Sequence, residues 1–267
     1  MDAGPPDAIS KRTLDQAGLS GAVLEQFKAD ARSRVWRTRG PAGLCVVKRF
    51  EHAPWRQWLA LVLGVHPAQL ELKWNRRLRG AGVHVVPIMD AGVEPCRGGC
   101  RAWLATPAMG SSLQRRLRAI LQDARQPAAA GQDRPLDPSA ASAAGSQAQE
   151  AAGLLLDAAA MLTAQLIAAG FTFKDLKPSN ILIDDAGQAW LIDVGSVRAR
   201  TAPPAIGRML GVMDRVLARD GVAAPLRERF ARTLEQACPL EVPRPPAPGS
   251  APGSAPGSAP GSAPGSA

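Results

Sequence analysis

The sequence predicts an α+β fold in two lobes, a five-stranded antiparallel sheet with one main helix and then a reduced helical lobe; three observations carry that reading. Short apolar stretches separated by turn residues fill the first part: AVLEQFKADARSRVWRTRG from Ala22, GLCVVKRF from Gly43, then HVVPIMDAGV and RAWLATPAM across the turn EPCRGGC. A single helical pattern, AQLELKWNRRLRGAGV, falls among them, with Leu70, Trp74 and Leu78 on one face. Beyond residue 110 apolar residues recur at helical spacing, interrupted by the hairpin signal NILI, DDAG, AWLI.

Composition divides the chain. Residues 1–20 have no pattern and read as a disordered N-terminus, 21–110 as the sheet lobe, and 111–240 as the helical lobe with a flexible insertion at 122–149. Residues 241–267, in which APGS repeats five times from Ala247 to Ser266, form a disordered tail whose composition cannot bury a core. Lys plus Arg exceed Asp plus Glu by nine, and residues 1–110 hold 16 basic against 9 acidic groups. Such a field attracts anionic partners, although 26 Arg against 6 Lys also suits a coding bias. Cys45, Cys96, Cys100 and Cys238 make neither a disulfide framework nor a zinc spacing, with a local Cys96/Cys100 pair as the alternative to free thiols. The start MDAGPPDAIS is acidic and proline-rich where a signal peptide is basic and apolar, so a cytoplasmic location is expected. Gly153 to Phe171, the most apolar window, is interrupted by Asp157, Thr163 and Gln165 and reads as a core helix.

In chain order, the first stretch gives a strand, a turn at Ala31–Ser33 and a second strand through Trp36. GLCVVKRF is a third strand that ends its apolar run at Lys48. In APWRQWLALVLGVHPA, residues Trp55, Trp58, Leu59 and Val62 share a helical face; they either pack on the small lobe, the commoner fate, or lie in a membrane interface. The next helix carries Glu71 and stops at Gly80 or Gly82. SSLQRRLRAIL starts the helical lobe, capped by Ser111 or Ser112, and EAAGLLLDAAAMLTAQLIAAGF ends at Gly170. Two helices, about 206–219 and 225–237, finish the fold.

The chemistry is concentrated in FTFKDLKPSNILIDDAGQAWLIDVGS, residues 171–196. Asp175 and Asn180 stand in D-x-x-x-x-N, and Asp193 opens D-V-G thirteen residues after Asn180. The intervening hairpin would hold all three polar groups at one edge, an arrangement suited to metal and phosphate. This stretch resembles the catalytic and metal-binding loops of the protein-kinase-like superfamily, H-R-D-L-K-P-x-N followed by D-F-G. The resemblance implies a bilobal protein-kinase-like fold using ATP and Mg²⁺. It gives Asp175 the acceptor-hydroxyl proton, Asn180 and Asp193 the metal, and Lys177 a contact with the γ-phosphate. It also pairs Lys48 with Glu71 to hold the α- and β-phosphates, and makes Thr106 to Met109 a hinge whose backbone, at Thr106 and Ala108, meets the adenine. The glycine-rich loop is missing, and ADARSRV would cover the phosphates with backbone N–H groups, Ser33 and Arg34.

Glu71 to Gly82 in the spacing E-x-x-x-N-x-x-L-x-x-x-G, with NILIDDAGQAWLIDVGSVRAR, is similar to the bacterial lipopolysaccharide kinase family, which includes Kdo and core-heptose kinases. That likeness covers about residues 30–121 and 150–235. It implies phosphorylation of a sugar hydroxyl on an anionic glycolipid, with peripheral contact at the inner face of the cytoplasmic membrane and no nucleic acid partner. Arg37 and Arg39 beside Arg34, with Arg76, Arg77 and Arg79, would form a basic rim. D-L-K-P-S-N resembles instead a small Ser/Thr protein kinase. Phe173, Lys174 and Val194, standing for the motif's His, Arg and Phe, suit a nucleotide-binding pseudokinase.

Overall fold

The computed structural model describes residues 9–124, 138–199 and 202–238. The strands β1 (Glu25–Ala29), β2 (Ser33–Gly40), β3 (Gly43–Phe50), β4 (Asp90–Cys96) and β5 (Gly99–Pro107) form one antiparallel sheet in the order β1-β2-β3-β5-β4. The fold is α+β, as the alternation of apolar residues requires. Strand periodicity puts Val46, Lys48 and Phe50 on one face of β3 and Cys45, Val47 and Arg49 on the other.

The outer face is not bare. Leu14, Ala17 and Leu19 pack on Cys45, Val47, Trp103 and Ala105, so residues 9–20 are a strap across the sheet and not a disordered terminus. Ser10 N–H donates to Ala91 O, Val93 N–H to Ser10 O, and Trp103 Nε1–H to Arg12 O. Gly92 permits this close approach, since a Cβ there would collide with Trp103 and the Arg12 carbonyl. Three apolar residues in tight turns show no period, which is why the strap is invisible as a pattern.

On the inner face lies α2 (Pro67–Gly80), which joins Ala68 and Leu72 to Phe50, Ile88, Ala102 and Leu104. His66 caps it: Nδ1 accepts the Ala68 N–H, so Nε2 carries the proton toward Gln57 Oε1 at 3.3 Å. Burial, with the nearby charge of His52, lowers the His66 pKa to about 4. Because the folded pKa lies below the unfolded one, the capped helix keeps its full stability above about pH 6.5 and loses it as pH falls toward 4. A loss of about 3 kcal/mol is expected across that window. Urea midpoints at several pH values check this, and His66→Asn should flatten the profile.

The preceding helix, α1 (Pro54–Val62), is inverted. Its buried residue is the polar Gln57, whereas Trp55, Trp58, Leu59 and Val62 are exposed and do not pack on the sheet. Gln57 Nε2 donates to Phe50 O and His52 O, and Oε1 accepts Ala102 N–H. Gln57→Ala should therefore cost about 2–3 kcal/mol in urea unfolding, because three backbone groups lose their partner, two of them in buried hydrogen bonds.

Of the expected strand HVVPIMDAGV, Asp90 onward joins the sheet as β4 but His84–Val86 does not. Val86 N–H donates to Leu191 O and Leu191 N–H to His84 O, so this segment ties the sheet to the later hairpin. The helical half comprises β6 (Ser111–Ser112), α3 (Leu113–Asp123), α4 (Pro138–Ala168), β7 (Thr172–Phe173), β8 (Ile181–Ile183), β9 (Ala189–Leu191), β10 (Val197–Arg198), α5 (Pro203–Arg219) and α6 (Ala224–Ala237). Ser112 caps α3 through the Arg115 N–H. The insertion assigned to 122–149 is partly helix, since α4 begins at Pro138; alanine, the strongest helix former, dominates a stretch that otherwise looks low in complexity. Residues 125–137, 1–8 and the APGS tail lie outside the described residues.

α4 has a stretch long and apolar enough to cross a membrane, Gly145–Ala168, and 56% of that window is buried. Leu156, Leu162, Leu166 and Ile167 join Leu117, Phe173, Met213 and Phe230 in the core, so α4 packs as a core helix. Arg229 fixes it to α6 by ion pairs with Glu150 at 2.9 Å and Asp157 at 2.7 Å.

Candidate functional site

The segment after α4 is placed by hydrogen bonds at both ends. Phe173 N–H points at Met209 Sδ, and Thr172–Phe173 pairs with Val197–Arg198. Phe173 and Val194 are both buried in the one core cluster. After a short 3₁₀ turn at Pro178–Asn180, β8 and β9 pair through Ile181 and Leu191, and Ile192 N–H donates to Asn180 O. Asn180 and Asp193 thereby leave the same end of the hairpin. Asp193 has φ of 56°, the single left-handed non-glycine residue among the described residues, a strained conformation of the kind found at functional sites.

Lys48 joins the halves. Its Nζ lies 2.7 Å from Glu71 Oε2 and 2.6 Å from Asp193 Oδ1. Burial alone would lower the Lys48 pKa, but the two carboxylates outweigh it and keep the ammonium charged. Burial pushes the Glu71 carboxyl up, and Lys48 opposes that shift. Beside Asn180, Asp175 Oδ2 accepts from Lys177 Nζ at 2.8 Å and from Asn180 Nδ2 at 3.2 Å. Asn180 Nδ2 also donates to Asp175 O at 2.9 Å. Both donations fix the amide, leaving its oxygen as the free end.

Lys48, Glu71, Asn180 and Asp193 border a cavity of about 640 Å³, within the usual range for small-molecule sites. Lys48, Glu71, Ser33, Thr106, Ala108, Asn180 and Asp193 line it; Asp175 and Lys177 do not, and reach it through Asn180. At the stretch expected to meet adenine, Thr106 to Met109, one backbone donor is already taken. Ala108 N–H already donates to Leu44 O, and Pro107 has none, so the free donor of this stretch among the described residues is Met109 N–H. Gly110 lets this stretch lie against β8, where a Cβ would strike the Ile183 carbonyl.

The β1–β2 turn also differs from expectation. Asp30 Oδ1 accepts the N–H groups of Arg32 and Ser33, both at 2.8 Å, so a carboxylate fills the place where backbone donors were expected to meet phosphate. Hydrogen bonds from Lys28 and these two amides lower the Asp30 pKa to about 2. Arg34 points away and pairs with Glu51, because residues 33, 35 and 37 share the cavity face and 34 does not. Of the expected rim only Arg37 lines the cavity; Lys28, Arg32 and Arg115 line it as well. The period of two, counted from Lys48 through its cross-strand partner Val35, was the available signal for Ser33 and Arg37.

For Mg²⁺ the donor set fits: the Asp193 carboxylate and the Asn180 amide oxygen, with phosphate and water completing the shell, are typical of a cation that keeps few protein ligands. Comparison with protein-family models and with curated proteins returned no match to this chain.

Proposed function

We propose that this protein is an ATP-dependent phosphotransferase with a protein-kinase-like bilobal fold, acting on a hydroxyl of a lipopolysaccharide-type sugar in the cytoplasm. The observation that carries the reading is Lys48 bridging Glu71 and Asp193 across the cleft from the Asp175–Asn180–Lys177 group. Lys48 and Lys177 offset phosphate charge, and the hinge from Thr106 to Met109 meets the adenine. Asn180 and Asp193 would hold Mg²⁺, which when bound neutralises charge on the phosphates. Asp175 orients the acceptor hydroxyl and takes its proton as the oxygen bonds to the γ-phosphorus and the bond to ADP breaks.

The acceptor class follows from what surrounds the cleft. The chain passes from Val197–Arg198 to α5 at Pro203, which leaves little platform for an extended peptide. Lys28 pairs with Asp30, and Arg37 and Arg115 share Glu25, so with Arg32 these cavity cations still outnumber their carboxylate partners and favour an anionic acceptor. Incubation with γ-labelled Mg-ATP and separate glycolipid and protein fractions tests this, with label expected in the glycolipid. Label in protein alone would favour the Ser/Thr kinase. A second reading, nucleotide binding without turnover, is favoured by Asp30 filling the phosphate-loop turn. ATP binding without transfer to either fraction would establish it.

A further inference from the structure

α1 offers an apolar surface that its own fold does not use. Trp55 and Trp58 are each 56% exposed, Val62 is 64% and Leu63 63% exposed, and Leu59 and Val65 extend the same surface. Gln57 anchors the helix by hydrogen bonds, so the apolar side chains contribute little to holding it. Contiguous exposed apolar patches of this kind mark interaction surfaces.

Positive charge adjoins it. Glu51, three residues ahead of α1, is shared by Arg34 at 3.4 Å, Arg49 at 2.9 Å and Arg101 at 3.7 Å, which leaves a surplus of positive charge. Arg101 Nε is buried without a hydrogen-bond partner. Arg56 is exposed on α1 itself, and its guanidinium sits over the Trp55 ring. Exposed Arg97 tips the β4–β5 turn, whose Gly99 abuts Pro54 and Trp55. α1 has no acidic residue in its first turn.

We infer that α1 is a membrane-docking element: Trp55, Trp58, Leu59 and Val62 enter the interface of an anionic bilayer while the arginines around Glu51 take lipid phosphates. Tryptophan suits headgroup depth, and arginine pairs with phosphate through its planar fork. Charge complementarity selects an anionic lipid over an apolar protein groove. The inference stands on α1 and its neighbours and does not depend on the phosphotransferase reading.

The test is cosedimentation of the full chain, without nucleotide, with phosphatidylcholine vesicles lacking or containing phosphatidylglycerol. The wild type should bind the anionic vesicles and release as salt rises. Trp55→Ala with Trp58→Ala should weaken binding by about tenfold or more while leaving the urea midpoint unchanged. Arg34→Gln with Arg101→Gln should weaken it on anionic vesicles and remove part of the salt dependence. Inorganic phosphate should compete no better than chloride at equal ionic strength; stronger competition, with vesicle binding unaffected by the tryptophan changes, would identify a free-anion site and overturn the proposal. So would equal binding by wild type and the tryptophan variant. A dimer that the tryptophan changes convert to monomer, with no vesicle binding, would assign the face to a second copy of the chain.

Discussion

Asp175→Asn should leave the protein folded and able to bind Mg-ATP, yet reduce γ-phosphate transfer by about 10² to 10⁴-fold, the usual contribution of a positioned general base. The asparagine keeps the shape that receives Lys177 and Asn180 but lacks the carboxylate proposed to take the acceptor proton. Asp175 lies outside the lining of the cavity, so nucleotide affinity should change little. Fluorescence titration with ATP and single-turnover transfer separate the two effects. A large loss of ATP affinity with turnover retained would remove Asp175 from its proposed role.

Lys48→Met should harm both transfer and stability, and a second substitution should separate them. Removing the ammonium leaves the Glu71 carboxyl buried beside Asp193 without its partner, an arrangement that typically costs about 3 kcal/mol or more. Adding Glu71→Leu should recover much of that loss, because no unpaired buried charge remains. Transfer should stay lower by at least about 10²-fold in both variants, since neither offers a cation to the phosphates. Recovery of transfer alongside stability would mean that Lys48 acts through the fold alone.

Much of this arrangement was legible in the sequence, for reasons that differ by element. The sheet strands showed in their alternation, α2, α5 and α6 in their spacing, and the hairpin of β8 and β9 in its turn residues. Lys48, Glu71, Asn180 and Asp193 converge as their motifs imply. What escaped depended on long-range partners. The Asp30 carboxylate bonding its own turn, the Ala108 N–H donated to Leu44, and the outward direction of Trp55 and Trp58 each depend on a neighbour that no local pattern names. Gln57 is the clearest case, because a lone glutamine in an apolar helix gives no sign that it is the buried anchor.

The strap formed by residues 9–20 bears on any dissection of this chain. Starting the domain at residue 21, where strand patterning begins, would strip Leu14, Ala17 and Leu19 from Val47 and Trp103 and leave an apolar sheet face open to water. Two chains cut that way could satisfy the exposed surface against each other, so the shortened protein should self-associate during expression. The smallest fragment that behaves as the whole does should therefore retain the chain from Ile9.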